Sequence, residues 1–246
     1  MERYFLEVSY MGTAYAGFQI QQNARTVQSE IEKALEIFFR RKIDLTGASR
    51  TDAGVHAFQN YFHFDDQGDI NLSSVYNLNA LLPADISIKG LTKVKPDSHS
   101  RFDATSREYK YFIYKDKNPF LQDRAYYYPY PLDLGLLNEA AALLLQERDF
   151  SSFSKRRTQV KTYLCDLQCS QWTEENGTII YYVKSNRFLR GMVRGLVGTM
   201  LQVGRGKLGL KELKQIIDSR DASNADFAVP PQGLFLVRVN YPEGYF

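Results

Sequence analysis

The sequence predicts an α+β fold built from two similar halves, and three observations predict it. Short runs of alternating apolar and polar residues are interleaved with segments whose apolar residues recur at helical spacing. The resulting element order, βαββαβ, occurs twice along the 246 residues. That length is also enough to bury a sizeable core, as one large domain or as two halves sharing a sheet. The economical architecture is two ferredoxin-like halves, residues 1–103 and 104–246, joined in a central, mainly antiparallel sheet. Helices cover one face and the other is left for a ligand. The halves share element order, not visible sequence identity.

In the first half, residues 3–9 read as a strand, and Val27 to Arg41 as a helix with Val27, Ile31, Leu35 and Phe38 on one stripe. Thr26 followed by Glu30 lies near, but not at, the spacing of a capping box. Strands are expected over 44–49 and 58–64, a weaker helix over 71–82 ended by Pro83, and a strand over 86–94. After a loop around Pro96 to Ser100, the second half gives a strand at 107–115, a helix at 132–146 and strands at 162–172 and 179–185. Helices at 188–203 and 211–218 and a strand at 234–240 close it.

The formal charge is +3, from 31 basic and 28 acidic residues, so only the distribution of charge can argue for a polyanionic partner. Between Asn186 and Lys207 stand Arg187, Arg190, Arg194, Arg205 and Lys207 with no acidic residue. On a helical wheel Arg187, Arg190 and Arg194 share a face, while Leu189, Val193, Leu196 and Met200 form a separate stripe. Gly191, Gly195 and Gly198 lie beside the arginines, where another backbone can come close. A second basic run, Ser154 to Lys161, sits in an expected loop. Strand alternation puts Tyr109, Tyr111 and Ile113 on one face, and YYYPYP, Tyr126 to Pro131, reads as a packed connection.

Cys165 and Cys169, if on one strand, have α-carbons about 13 Å apart, beyond disulfide reach, and read as reduced packing residues. Three scattered histidines give no metal-ligand pattern. The start MERYFLEVSY is unlike an export signal, and the most apolar late stretch, GMVRGLVGTMLQV, is short and contains an arginine. The expectation is a cytoplasmic protein with no membrane span.

In GASRTDAGVHAFQ, residues 47–59, one carboxylate stands between an arginine and a glycine. On spacing alone Asp52 before Ala53 and Gly54 is a turn aspartate. Arg50-Thr-Asp-Ala-Gly-Val-His56, however, resembles the catalytic motif of the tRNA pseudouridine synthase A family. Tyr10 to Gln19, Thr26-Val-Gln, Asn79 to Ile86, Arg101 to Tyr111, Asp149 to Phe153, Phe188 to Arg194 and Gly233-Leu-Phe-Leu resemble further blocks in the family's order. Met11 and Phe18 depart from it, where aspartate and tryptophan are usual.

The resemblance implies the pseudouridine synthase fold, an RNA-binding cleft on the sheet, and isomerisation of uridine to pseudouridine at positions 38–40 of the tRNA anticodon stem-loop. It implies a homodimer whose partner is tRNA, with no cofactor or metal, since isomerisation adds nothing. It makes Asp52 the catalytic residue, Arg194 its ion-pair partner and Tyr109 the tyrosine that stacks on the uracil. Arg50, two residues from Asp52, is assigned instead to the phosphate of the flipped nucleotide, and Arg187 and Arg190 to the RNA backbone. His56 is read as ordering its loop. The rival reading is a catalytically silent RNA-binding protein of the same fold.

Overall fold

The computed structural model describes residues 1–68, 70–155 and 160–246. In chain order the elements are β1 (Glu2–Tyr10), α1 (Val27–Phe39), β2 (Thr46–Gly47), β3 (His56–Asp66), α2 (Val75–Leu81), β4 (Ile86–Val94) and β5 (Ser106–Tyr114). Then follow β6 (Tyr126–Tyr127), α3 (Leu134–Leu145), β7 (Leu167–Glu175), β8 (Thr178–Ser185), α4 (Met192–Gly204), α5 (Leu210–Ser219) and β9 (Leu234–Asn240). The chain divides into two units, residues 1–106 with 235–246, and residues 107–234.

In the first unit β1 lies between β4 and β3 and is antiparallel to both. β9 adds to β3 in parallel, pairing His56 with Phe235 and Ala57 with Leu236. Because side chains alternate across a strand, Leu6 and Val8 share one sheet face with their partners Phe62 and Asn60, all wholly buried. Phe18 stacks on Phe62 at 4.5 Å. Its carbonyl accepts from the N–H of Gln28, which ties the start of α1 to this face. On the other face Phe5 meets Tyr241, Tyr245 and Phe246 at 5.7, 5.8 and 5.8 Å. The C-terminal residues therefore cover the part of that face around Phe5, where the sequence predicts an open surface.

Helix α1 starts with a reciprocal cap: Ser29 N–H donates to the Thr26 hydroxyl at 3.1 Å, and Thr26 N–H to the Ser29 hydroxyl at 3.0 Å. The partner is thus Ser29, while Glu30 pairs with Arg25 at 3.0 Å. The strand expected over 44–49 contracts to two residues, because past Ala48 the chain leaves β3 to form the loop that carries the RTDAGVH motif.

In the second unit β8 lies between β5 and β7, antiparallel to both. Asn176 and Gly177, at φ 51° and 74°, turn β7 into β8 as a two-residue hairpin, so β7 runs on to Glu175. Its start is later than expected, at Leu167, since Tyr163 and Cys165 bond back to Phe150 and Arg148 instead. Asn138 of α3 satisfies both the N–H and the C=O of Trp172, at 2.9 and 3.0 Å, and α3 packs along β7. In the first unit Asn79 of α2 does the same for Ile88 of β4.

Helix α4 corrects one expectation. It starts at Met192 rather than Phe188, because Gly191 adopts φ 74°, a left-handed conformation that glycine accommodates and that breaks the helical path. Arg187 and Arg190 therefore precede the helix, and the expected three-arginine stripe reduces to Arg194 alone. Val193, Leu196 and Met200 are buried as expected. The tyrosine run packs as a ladder, Tyr126 to Tyr128 to Tyr130 at 5.2 Å each, closed by Arg205 over Tyr130 at 4.0 Å. Cys165 and Cys169 are unbridged, and burial pushes the Cys165 thiol up to about 11. Residues 156–159 of the Ser154 to Lys161 run lie outside the described residues. Among the described residues no helix is long and apolar enough to cross a membrane.

Candidate active site

Asp52 stands at a turn, as local spacing suggests, but it is the main chain that makes the turn. The carbonyl of Asp52 accepts from Val55 N–H at 3.2 Å, and Gly54 takes φ 78° inside it. Asp52 as a residue is half-buried. The turn is clamped on both flanks. Before it, the Asn60 amide donates to Ser49 O at 2.8 Å, and the Thr51 and Tyr10 hydroxyls bond at 2.8 Å inside the core. Asn60 reaches Tyr10 as well, at 3.3 Å. Burial raises the Tyr10 phenol to about 12, opposed by its bonds to Thr51 and Asn60, so it remains a neutral link. After it, His56 is wholly buried, accepts from Gly12 N–H at 2.9 Å and lies 4.5 Å from the Phe235 ring. His56 orders the loop, as read from the sequence.

The segment from Met11 to Phe18 braces the same turn. A Cβ on Gly12 would stand 2.0 Å from Val55 O, so only glycine allows this approach. Phe18 N–H donates to Thr51 O at 3.1 Å. Of the two departures from the family pattern, Phe18 is core, fully buried against Phe62. Met11 lines a groove of about 200 Å³ with Tyr10, Phe58, Asp85 and Phe235. Arg50 is exposed on the leading arm of the loop, two residues from Asp52.

In the second unit Tyr109 sits in β5 opposite Val183, with Phe188 against its ring at 5.0 Å and 80°. Arg194 is half-buried on α4 and held by main-chain carbonyls, Nε to Val229 O at 2.8 Å and Nη2 to Phe227 O at 3.5 Å. That segment lies close because α4 is small there. A Cβ on Gly198 would come 2.2 Å from Asp226 O, and Thr199 and Gln202 bond to Asp226 at 3.0 and 2.8 Å. The backbone approach expected from the glycines is thus made at Gly198, by Asp226, while Gly195 faces the Phe227 ring and Gly191 the Lys155 side chain. The Tyr111 hydroxyl donates to Pro230 O at 2.7 Å; burial raises its pKa and the charge of Arg194 opposes that shift. Arg190 is exposed and Arg187 half-buried, on the approach to α4. The Tyr10, Thr51 and Asn60 clamp is absent from the sequence reading, since bonds between residues 41 and 50 apart leave no local period. Among the described residues no three side chains of His, Cys, Asp or Glu gather as a cation site.

The sequence model of a family described as tRNA pseudouridine synthase matches residues 7–103 and 140–242. A relative called tRNA pseudouridine synthase A, from Bacteroides thetaiotaomicron, is 45% identical over 250 residues, spanning 100% of this chain and 93% of the relative. Proteins of the same description from Azobacteroides pseudotrichonymphae and Staphylococcus aureus are 40% and 35% identical, over 100% and 98% of this chain and 99% and 91% of the relatives. Similarity along the whole length, joined to an RTDAGVH loop held at both flanks, assigns the chain: it belongs to the tRNA pseudouridine synthase family.

Proposed function

We propose that this protein isomerises uridine to pseudouridine at positions 38–40 of the tRNA anticodon stem-loop, with Asp52 as the catalytic residue. The observation that carries the reading is the Asp52 turn: a carboxylate residue in a loop tied down on both flanks, through Ser49 O and Thr51 before it and His56 after it. Such fixation is what a reaction on a single atom requires. The N1 glycosidic bond breaks, the uracil turns and C5 bonds to the ribose. The ionised carboxylate serves either by attacking sugar or base covalently or by stabilising and deprotonating a ribose-derived intermediate.

An arginine near Asp52 keeps the carboxylate charged as substrate closes the site against water. Arg194 is assigned that role, and its planar guanidinium, already oriented by the carbonyls of Val229 and Phe227, suits it. Tyr109 stacks on the uracil and helps remove the C5 proton. Excluding water matters because the detached base must be recaptured before the intermediate hydrolyses. The target is unreachable inside a stacked helix, so it is flipped out at a cost of a few kcal/mol, with Arg50 on its phosphate. Arg187 and Arg190 hold the RNA backbone by position more than by sequence. The working form is a homodimer across which each tRNA lies.

The test is unmodified tRNA carrying tritium at uracil C5, with product mapped by carbodiimide labelling and primer extension. Tritium release with stops at positions 38, 39 and 40 is expected. Release mapped elsewhere would overturn the position assignment, and sedimentation of a monomer at working concentration would overturn the dimer.

A further inference from the structure

The first unit contains a cavity of about 210 Å³ lined by Phe18, Gly47, Arg50, His99, Arg101 and Phe102 among others. Holding one water takes about 10–15 Å³ on this measure, so a ring-sized ligand fits. Asp52 does not line it, although Arg50 does. The rim is unlike a core. Phe102 is 74% exposed, with the Arg101 guanidinium 5.7 Å from its centroid and the His99 ring at 4.2 Å and 37°.

The loop that presents these groups is held on all sides. His99 N–H donates to Asp103 Oδ2 at 2.7 Å, which also accepts from Tyr245 at 2.5 Å. Ser100 O accepts from Tyr241 at 2.5 Å, and Ser98 O from Arg3 at 2.8 Å. Arg101 and Phe102 N–H both point at His99 Nδ1, at 3.1 and 3.3 Å, which leaves the imidazole proton on Nε2. Burial holds His99 below its ordinary pKa, so the positive charge at the rim is that of the two arginines. An exposed aromatic ring on so constrained a loop contributes little to folding. An open ring face beside cations is the combination that binds unpaired nucleotides. The Gln19 amide in the wall suits a base edge better than an apolar peptide face, while the Gln28 amide is taken up by Glu32, Leu45 O and Ile20 N–H.

We propose that this cavity is a second nucleotide subsite, which takes one unpaired nucleotide of the RNA other than the uridine being isomerised. Its base stacks on Phe102 and its phosphate faces Arg101. The inference rests on the tRNA isomerase reading above. It makes Phe102 a positioning residue that acts on RNA affinity and not on the chemical step.

Filter binding of an unmodified tRNA transcript to wild type, Phe102→Ala and Phe102→Trp tests it, beside single-turnover tritium release at saturating enzyme. Loss of one stacked base weakens affinity about fivefold or more, so Phe102→Ala is expected to bind at least that much more weakly. Phe102→Trp should restore binding, and the single-turnover rate should stay within about twofold, since stacking here is remote from the reacting atoms. Because the ring is exposed, folding of the alanine variant is not at risk. Unchanged affinity of Phe102→Ala overturns the subsite, as does failure of tryptophan to restore it. Weakened binding in the absence of tritium release by wild type would leave the subsite standing and overturn the isomerase reading instead.

Discussion

Tyr10 shows how much of the site rests on groups that do no chemistry. Its hydroxyl joins Thr51 on the leading arm of the Asp52 turn to Asn60 on β3, in a wholly buried position. Tyr10→Phe removes the link, takes the buried Thr51 hydroxyl's partner away and costs Asn60 one of its bonds, a loss of about 1–3 kcal/mol. The expected outcome is a lower melting temperature together with a fall in kcat that exceeds any change in tRNA affinity, measured by thermal unfolding and by steady-state tritium release. At Asp52 the local reading gives a turn residue, which the main chain makes, and the run of matching blocks implies a catalytic residue, which is the role proposed for it. The clamp was not legible, because nothing in a tyrosine's local sequence says which residue 41 positions later its hydroxyl will meet.

At the scale of elements, strands and helices with clear periodicity came out within a residue or two, as with β4 and β9, where the expected and observed bounds coincide. The failures have local physical causes. Asn176-Gly177 is a hairpin signal that fixes where β7 ends, and Gly191 at φ 74° fixes where α4 begins. Missing the second put Arg187 and Arg190 on a helix they precede. The close approach expected from the glycines of α4 is made at Gly198, by Asp226 of the 226–229 segment. Gly198→Ala forces a Cβ to within 2.2 Å of Asp226 O, a backbone atom. Overpacking of this kind costs about 1–3 kcal/mol, occasionally more. Since Arg194 is oriented by the same segment, the variant should unfold earlier in urea and also turn over more slowly. Arg194→Lys should keep the charge but lose the planar fork and its bond to Val229 O, and wild-type turnover in it would count against the role assigned to that guanidinium.

For the whole molecule, the repeated βαββαβ order puts β9 in the second half and gives no sign that it pairs in parallel with β3, nor that residues 241–246 fold over Phe5. Order along the chain carries no record of which strands meet. Beside Phe5 lies His63, whose burial makes folding depend on pH. His63 is depressed from 6.5 to about 4, by burial first and then by His99 and Arg3, against Asp65 and Asp103. Its proton is bound more readily in the unfolded chain, so the stability it contributes is complete above pH 6.5 and is lost as pH falls towards 4. About 2 kcal/mol of this should be gone at pH 5. Urea midpoints at pH 7 and pH 5 should differ more for wild type than for His63→Gln; equal differences would show that His63 is not the group responsible.

The central claim is that Asp52 performs the isomerisation in a protein that binds tRNA without its help. The direct measurement is C5 tritium release from unmodified tRNA by wild type and by Asp52→Asn, each with its tRNA affinity. Release by wild type, a loss of about 10³-fold or more in Asp52→Asn and tRNA affinity largely kept are the expected results. Release by the variant at the wild-type rate, or none from any tRNA by wild type, would contradict it.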